Sequence, residues 1–214
     1  MLKAVVFDFG GVIAEEGFRQ GLHAIARRNG LDPGHFFRCV RELIYETGYV
    51  TGALEEHAFW TIVREKTKIS GGDGELREEI LSRFVLRPAM VEEVERLRSS
   101  GLIVALLSDQ TNWLDEIEQR TPFYHLFDKV YNSFKLGKSK RDPSVFVDTF
   151  SALGILPPEA LFVDDSAENI ENALSTGCMA IHFLSIDDFR WQLKDYIRIP
   201  CHRRSIRRPP PWSP

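Results

Sequence analysis

Polar side chains that could perform chemistry follow three apolar segments of this chain. Each segment is short and continuously apolar, which is typical of a strand buried on both faces of a parallel sheet. The polar residues are Asp8 after "AVVF", Ser108 and Asp109 after "LIVALL", and Asp164 and Asp165 after "ALFV". Because ligands bind at the carboxyl ends of parallel strands, we expect these side chains to meet at one edge of a sheet.

A basic segment, "SFKLGKSKRDP", lies between the second and third of these strands and contains Lys135, Lys138, Lys140 and Arg141. Clustered carboxylates repel one another unless a cation neutralises them. Ligand sets made only of oxygen favour a hard ion such as Mg²⁺. A metal ion, a carboxylate nucleophile, a hydroxyl donor and a lysine together suit phosphoryl transfer. Any one of these residues alone is typical of a turn, an N-cap or a solvated loop, so only their combination predicts a site.

The elements that must position these residues follow from the spacing of the apolar side chains. Two further apolar runs, "MAIHF" and a weaker one around Val130, predict additional strands. Apolar residues repeat at helical spacing over 90–97, 146–153 and 170–174. Strands that alternate with helices predict an α/β fold, a three-layer, Rossmann-like parallel sheet with helices on both faces.

The segment 15–87 breaks this alternation, because four helical patterns follow one another without a strand. We therefore predict an α/β core formed by residues 1–14 and 88–200, with a helical-bundle insert formed by residues 15–87. The tail, residues 201–214, is basic and rich in proline and has no periodic apolar face, so we expect it to be disordered.

Four segments of the chain resemble, in order, the motifs of the haloacid dehalogenase (HAD)-like hydrolase superfamily. They are "VVFDFGGVI", "ALLSDQT", "SFKLGKSKRDPSVF" and "LFVDDSAENIENALSTG". The resemblance extends from Leu2 to about Ile197 and is to the subgroup with a helical cap of the C1 type, including sugar-phosphate phosphatases and the N-terminal domains of epoxide hydrolases. It implies a Mg²⁺-dependent hydrolase, and most directly a phosphatase of a small phosphorylated metabolite.

The resemblance also implies roles for individual residues. Asp8 is implied to be the nucleophile that becomes an aspartyl-phosphate, and Ser108 to hydrogen-bond the phosphoryl oxygens. Lys140 is implied to hold the phosphate and the charge of the nucleophile. Asp109, next to Ser108, is expected to contact the substrate. The family usually has proline directly after the lysine, whereas this chain has Arg141.

The implied Mg²⁺ ligands are Asp8, Asp164, Asp165 and the backbone carbonyl of Gly10. In phosphatases of the family, a second aspartate stands where this chain has Gly10. That aspartate protonates the leaving group and then activates the hydrolytic water. General acid–base catalysis typically contributes about 10²–10⁴-fold, so its loss at this position alters the expected chemistry.

Four interpretations of Gly10 remain open. Glu15, Glu16 or an ordered water could replace the acid, although solvated hinge residues are the more ordinary interpretation of these two glutamates. The chain could instead be a slow phosphatase suited to good leaving groups. It could be a dehalogenase, because carbon–halogen cleavage needs no leaving-group proton, although a dehalogenase does not need the acidic pair Asp164–Asp165. Finally, it could be a module of the same fold that binds phosphate or a partner without catalysis. Gly10→Asp would test for a missing acid unless the backbone there needs a positive φ.

The helical insert is expected to cover the site and to select a small soluble substrate. Arg19, His23 and Arg27 form a row on its first helix that could meet an anionic or polyhydroxy substrate, or could be a solvated face. Three aromatic residues are expected in the core of the insert rather than at the substrate: Tyr45, Tyr49 and Trp60.

Composition limits the partners. A net charge of −4 and a pI of about 5.9 argue against a nucleic-acid binder held by phosphate contacts. No apolar run approaches the roughly 20 residues of a membrane helix, so we expect no membrane partner. Three widely spaced cysteines predict no disulfide framework and a reducing compartment. Because the N-terminus has no secretory pattern, we expect a cytoplasmic protein.

Overall fold

The computed structural model describes residues 1–197, so the predicted disordered tail, 201–214, lies outside the described residues. A single sheet of five parallel strands has the order β3-β2-β1-β4-β5. The strands are β1 (Ala4–Phe7), β2 (Ile103–Ser108), β3 (Lys129–Asn132), β4 (Ala160–Asp164) and β5 (Met179–His182). The predicted α/β fold is confirmed.

Ten α-helices accompany the sheet within the described range. They are α1 (Gly17–Arg28), α2 (Pro33–Glu46), α3 (Glu56–Thr67), α4 (Asp73–Leu81), α5 (Pro88–Ser99), α6 (Trp113–Arg120), α7 (Ser133–Leu136), α8 (Ser144–Ala152), α9 (Ala167–Ser175) and α10 (Ile186–Tyr196). Short 3₁₀ turns lie at Tyr49–Thr51, Tyr124–Leu126 and Pro157–Glu159. None of the helices in residues 1–197 is long and apolar enough to span a bilayer.

Both faces of the central strand β1 are buried, and this strand is apolar at every position. Val5 and Phe7 point to one face, where they pack with α5 and α10. Ala4 and Val6 point to the other face, where they pack with α8 and α9. A strand alternates its side chains between faces, so continuous apolar runs are what a sheet between two helical layers requires.

Helices α1–α4 lie between β1 and α5, where the sequence predicts the insert. The chain passes into and out of this helical segment through two antiparallel connections, in which Ala14 bridges Leu86 and Glu15 N–H donates to Val85 O at 2.8 Å. Buried residues of the helices belong to the same hydrophobic cluster as one face of the sheet. The division of the chain into a core and an insert at residues 14 and 87 stays a prediction.

The predicted bounds of β1 are correct, and those of β2, β4 and β5 differ from the observed ones by a single residue. Leu102 precedes β2, and Phe183 follows β5. Ser108 and Asp164 are the last residues of β2 and β4 rather than the first residues of the loops that follow. Hydrogen bonding to the neighbouring strand decides where each strand begins and ends, and the polarity of the side chains does not predict that hydrogen bonding.

Candidate active site

The carboxyl ends of β1 and β4 bring three carboxylates together. The parallel register places Phe7 opposite Val163, and the next peptide continues the ladder, with Asp8 N–H donating to Val163 O at 2.8 Å. As a result, one carboxylate oxygen each of Asp8, Asp164 and Asp165 lies within 4.8 Å of the others. The predicted convergence of these three residues is what the structure shows.

Lys140 connects two of these carboxylates. Its Nζ lies 2.7 Å from Asp8 Oδ1 and 2.6 Å from Asp164 Oδ2, and its side chain is 1% exposed. Two other basic residues of the same segment point elsewhere, since Lys135 pairs with Asp115 and Lys138 with Asp148. The structure therefore selects one lysine from the basic segment.

Burial and mutual repulsion govern the protonation of these groups. Burial raises the pKa of Asp8 well above its usual range; the Lys140 ammonium opposes this shift, and Asp164 and Asp165 add to it. Burial and the charge of Asp164 likewise raise the pKa of Asp165. Although burial lowers the pKa of Lys140, the surrounding carboxylates outweigh it and raise that pKa above its usual value, so the lysine stays charged.

Asp164 is held in place by the helix that follows β4. Its Oδ1 accepts the backbone N–H of Ser166 at 2.8 Å, and Asn169 Nδ2 donates to both carboxylate oxygens at 3.1 and 3.2 Å. Asn169 lies on α9 at the spacing that the sequence motif indicated. These contacts fix the carboxylate that Lys140 approaches.

Asp165 lies against a glycine of the β1 loop. A Cβ added at Gly11 would lie 2.2 Å from Asp165 Oδ2, and Gly11 has a φ of +82°. Only glycine fits both the conformation and the space. Gly10 is not among the glycines with positive φ, so its backbone does not exclude a side chain.

The donor set fits a hard divalent cation. Four carboxylates (Asp8, Asp109, Asp164 and Asp165) lie around one ammonium group, which leaves an excess of negative charge. Oxygen donors without nitrogen or sulfur are the set that Mg²⁺ prefers. Of the predicted ligands, Gly10 lines the same cavity as Asp8 and Asp165.

Asp109 contacts the protein on both sides. Its two carboxylate oxygens accept the backbone N–H of Lys140 at 2.9 and 3.1 Å, and Tyr45 Oη donates to Oδ2 at 3.0 Å. Burial and the neighbouring Asp109 raise the pKa of Tyr45, which keeps its hydroxyl a donor. This arrangement favours a role in positioning Lys140; contact of Asp109 with substrate stays a prediction.

A cavity of about 510 Å³ opens onto these groups. We call the side formed by the strand ends the sheet-edge wall; it includes Asp8, Ser108, Asp109, Lys140 and Asp165. We call the opposite side, formed by residues 16–50 and Phe84, the helical wall. Its members are Glu16, Phe18, Arg19, Phe37, Arg41, Ile44, Tyr45, Val50 and Phe84.

Two sequence expectations about the insert are corrected in part. Tyr45 is not confined to the core of the insert, since it lines the cavity and hydrogen-bonds Asp109. In the row on α1, only Arg19 lines the cavity, and His23 packs edge-on against Phe37. Tyr49 and Trp60 are buried as expected.

The two glutamates after β1 have different environments. Glu15 is paired with Arg87, and hydrogen bonds from Arg87 lower the pKa of Glu15. Glu16 lines the cavity, and burial raises its pKa to about 7. Its Oε2 accepts the backbone N–H of Arg19 at 2.6 Å at the start of α1. Glu16 is therefore not simply a solvated hinge residue.

Phe84 is a cavity residue that no pattern in the sequence singles out. It is 7% exposed, and it stacks on Phe9 with ring centroids 5.6 Å apart. A Cβ added at Gly10 would lie 3.3 Å from Phe84 Cε1, and one added at Gly17 would lie 2.6 Å from Phe84 Cδ2. The ring therefore rests on two positions without side chains, one of them two residues after Asp8.

Two relatives of this chain differ in the activity that their names describe and in the share of their length that the alignment covers. The chain is 28% identical over 200 residues to acyl-CoA dehydrogenase family member 10 from Mus musculus, an alignment that covers 86% of this chain and only 18% of that protein. It is 27% identical over 188 residues to D-ribitol-5-phosphate phosphatase from Bacteroides thetaiotaomicron, covering 79% of this chain and 86% of that enzyme.

Solved structures of a phosphate-bound HAD-family enzyme and of a dehalogenase share the fold. A HAD-family enzyme from Bacteroides thetaiotaomicron, in complex with magnesium and inorganic phosphate, superposes with a TM-score of 0.65 at 21% identity, covering 85% of this chain and 93% of that one. A dehalogenase superposes with a TM-score of 0.69 at 18% identity, covering 92% of this chain and 97% of that one. The fold alone thus does not select between phosphate and halide chemistry.

The family follows from the sequence model together with the site. The model of haloacid dehalogenase-like hydrolases matches residues 2–176, a range that contains the strand ends, Lys140 and the acidic pair Asp164–Asp165. Since this match spans most of the chain, the protein belongs to the haloacid dehalogenase-like hydrolase family.

Proposed function

We propose that this hydrolase is a Mg²⁺-dependent phosphatase of a small phosphorylated metabolite and that it works through a phospho-Asp8 intermediate. The observation that carries the proposal is the position of Asp8. Its carboxylate follows the central strand, is buried against the Lys140 ammonium at 2.7 Å, and opens onto a cavity of substrate size. A buried carboxylate held by a cation and facing a cavity is suited to nucleophilic attack.

The residues of the chain divide the work of phosphoryl transfer. Asp8 supplies the attacking oxygen, and Ser108, at the end of the neighbouring strand, donates a hydrogen bond to the phosphoryl group. Lys140 holds the Asp8 carboxylate at one end and balances the charge of the incoming phosphate. Asp109 accepts the backbone N–H of Lys140 and so keeps the lysine loop at the strand ends. Fixed donors of this kind stabilise charge without reorganisation during the reaction.

Asp8, Asp164, Asp165 and the carbonyl of Gly10 would hold the metal ion. When bound, Mg²⁺ supplies positive charge that neutralises the carboxylates and the phosphate. A HAD-family structural neighbour was crystallised with magnesium and inorganic phosphate, which supports magnesium and phosphate as the groups that this chain binds.

The dehalogenase interpretation is the second candidate, because a dehalogenase shares the fold and Gly10 removes the usual acid. The intact acidic cluster favours the phosphatase, since carbon–halogen cleavage by an aspartate does not need it. A module without catalysis would leave the buried Asp8–Lys140 pair without a use.

We also propose that the helical insert is a cap of the C1 type and that the protein is cytoplasmic. The unpaired thiols of Cys39 and Cys178 support the cytoplasmic location.

A direct comparison of two products tests this function. Phosphate release from a panel of phosphate monoesters is measured in EDTA and after Mg²⁺ is restored, and halide release from a short 2-haloacid is measured under the same conditions. We expect phosphate release that EDTA abolishes and Mg²⁺ restores. Halide release that persists in EDTA would establish the dehalogenase instead, and no release of either product would favour the binding module.

A further inference from the structure

Phe84 occupies the space beside Gly10 into which a side chain at that position would extend. Its ring lies 3.3 Å from where a Cβ at Gly10 would be, and its stacking on Phe9 holds it there. The neighbour of Gly10, two residues after the nucleophile, is therefore an aromatic ring rather than a carboxyl group. We expect the leaving group of a phosphate ester to lie beside this ring before Asp8 displaces it.

Four further residues of the helical wall continue this apolar surface. Phe18, from α1, and Phe37 and Ile44, from α2, line the cavity together with Val50. Phe18 and Phe37 pack edge to face with centroids 6.3 Å apart, so their rings are fixed relative to each other. Aromatic walls of this kind favour flat apolar ligands, because rings gain from both burial and ring–ring geometry.

Three polar groups of the helical wall already have partners in the protein, and the Arg19 guanidinium lies over the Phe37 ring, 4.8 Å from the ring centroid. Glu16 accepts the N–H of Arg19, Tyr45 donates to Asp109, and the Arg41 guanidinium pairs with Glu168 at 2.9 Å. A polyol that entered this side of the cavity would have to break these contacts or leave its hydroxyls unpaired. Either outcome costs binding energy, which disfavours sugar and glycerol esters.

We infer that the substrate is an aryl phosphate, a monoester whose phosphate is attached directly to the oxygen of an aromatic ring. This inference rests on the proposed phosphatase function and names its substrate class. Asp8 Oδ forms a bond to phosphorus, and the bond from phosphorus to the aryl oxygen breaks. The electron pair leaves with the phenolate, which takes its proton from solvent. Water then attacks phosphorus, the P–O bond to Asp8 breaks with its electron pair returning to the carboxylate, phosphate leaves, and the proton of the water passes to solvent.

Two features of the site agree on this class independently. The apolar residues of the helical wall select for a ring, and the missing carboxyl at Gly10 selects for a leaving group that needs no proton. A phenol has a pKa of about 10, whereas that of an alcohol is close to the value of about 15.7 for water. The phenolate can therefore leave unprotonated, and an alkoxide cannot do so at a comparable rate.

Three esters separate ring recognition from leaving-group chemistry. Phenyl phosphate has both the ring and the good leaving group, benzyl phosphate has the ring with an alkyl leaving group, and glycerol phosphate has neither. With Mg²⁺ present, we expect kcat/KM to fall in that order, by about tenfold or more at each step. A kcat/KM for glycerol phosphate equal to or above that for phenyl phosphate would overturn the inference.

A binding measurement keeps this test separate from that of the function. Phenylphosphonate and methylphosphonate have a P–C bond in place of the ester P–O bond, so they bind without being hydrolysed. We expect the phenyl compound to bind wild-type protein with Mg²⁺ about tenfold or more tightly than the methyl compound. Equal affinities, with hydrolysis of all three esters intact, would refute the aryl class and leave the phosphatase standing. A phenyl preference without hydrolysis of any ester would refute the phosphatase and leave the aromatic site standing.

Phe84→Leu and Phe37→Leu test whether the helical wall causes the preference for the phenyl compound. We expect each variant to reduce the ratio of phenyl to methyl phosphonate affinity at least threefold. Val85→Ala is the matched control, because Val85 is adjacent to Phe84 in the chain, is 59% exposed and does not line the cavity. An unchanged ratio in both leucine variants would remove the wall from the inference.

Discussion

The two walls of the cavity are held by different forces. The sheet-edge wall is fixed by the parallel register and by buried charge, as in the Lys140 ammonium between Asp8 and Asp164. The helical wall is fixed by ring packing and by partly exposed ion pairs, such as Arg41 with Glu168. The first arrangement has little freedom to change without loss of the fold, whereas the second can be repacked. We therefore expect chemistry to depend on the sheet-edge wall and preference to depend on the helical wall.

The largest expected effect is the loss of turnover when the nucleophile on the sheet-edge wall is replaced, and it is compared with a substitution on the helical wall. Asp8→Asn keeps the size of the side chain and removes the nucleophile, so we expect turnover of every phosphate ester to fall by at least about 10³-fold with the fold retained. Phe37→Ala should change the ranking of esters and leave the best kcat within about tenfold. Steady-state kinetics and circular dichroism measure both effects, with exposed Asp195→Asn as control. Turnover by Asp8→Asn within tenfold of wild type would contradict the assignment.

The next effect concerns the place where the walls meet. Gly10→Asp should raise turnover of benzyl phosphate by up to about 10²-fold, because a carboxyl there could protonate the alkyl leaving group. The backbone permits a side chain, but the Phe84 ring must move by a few tenths of an ångström. Combining it with Phe84→Leu should therefore give a larger gain than Gly10→Asp alone.

Gly72→Asp is the matched control, since Gly72 has neither a positive φ nor a neighbour within 4 Å of an added Cβ. It should leave the turnover of every ester unchanged. If wild type already hydrolyses benzyl phosphate at about 10 s⁻¹, an ordinary enzyme rate, another group supplies the proton. Glu16 would then be the first residue to replace.

Metal binding should stabilise the sheet-edge wall. At about 100 times its dissociation constant, Mg²⁺ should raise the free energy of unfolding by about 2.7 kcal/mol. Asp165→Asn should weaken that stabilisation and, without Mg²⁺, should make the protein more stable than wild type because one repelling charge is gone. Chemical denaturation with and without Mg²⁺ measures both effects. A wild-type stability that is indifferent to Mg²⁺ would contradict the metal site.

On the helical wall, Glu16 should make stability depend on pH. Its pKa rises from 4.5 to about 7 on folding, so the unfolded chain loses this proton first as the pH increases. The folded state is therefore progressively destabilised between about pH 4.5 and 7, and Glu16→Gln should remove that loss. We expect the variant to exceed wild type by about 1–3 kcal/mol above pH 7 and to match it below pH 4.5.

Glu15→Gln is the matched control for this measurement because the two neighbouring carboxylates are shifted in opposite directions. Arg87 lowers the pKa of Glu15, so its charged form stabilises the fold above its unfolded pKa. Replacing it should lower stability near pH 7, where replacing Glu16 raises it. The same sign for both variants in urea unfolding without metal would show that the two environments are not distinct.

The smallest effect is expected at the surface between the walls. Arg141, next to Lys140, pairs with Glu42 of α2 at 2.8 Å, and both side chains are partly exposed. Glu42→Gln should lower the free energy of unfolding by less than about 1 kcal/mol and leave turnover unchanged, because exposed ion pairs contribute little. A loss above 2 kcal/mol in thermal unfolding would show that this contact holds the two walls together.

Sequence and structure agree on the sheet-edge wall because local patterns determine it. Continuous apolar runs identify the strands, and parallel pairing then brings Asp8, Asp164 and Asp165 to one edge. Lys140 needed the resemblance, since composition alone does not distinguish it from Lys135. The geometry of one strand end relative to the next is set by the fold class, so it can be predicted without knowledge of side-chain packing.

The residues of the helical wall could not be predicted from the sequence because they depend on how α1 and α2 pack over the strands. Periodicity shows which face of a helix is apolar, and it does not show whether that face meets a core or a cavity. Tyr45 was therefore expected in the core, and Phe84 had no distinguishing feature. Its only signal was indirect, in that Gly10 and Gly17 both lack the side chain that would collide with its ring.

Lys140 is anchored at both ends, by its backbone N–H to Asp109 and by its Nζ to Asp8 and Asp164. A free lysine side chain has about 2 kcal/mol of rotamer entropy to lose when it becomes ordered. In this protein that entropy is lost when the chain folds, before any ligand is present. An arriving phosphate therefore meets an immobilised ammonium, and its binding affinity is not reduced by ordering the lysine.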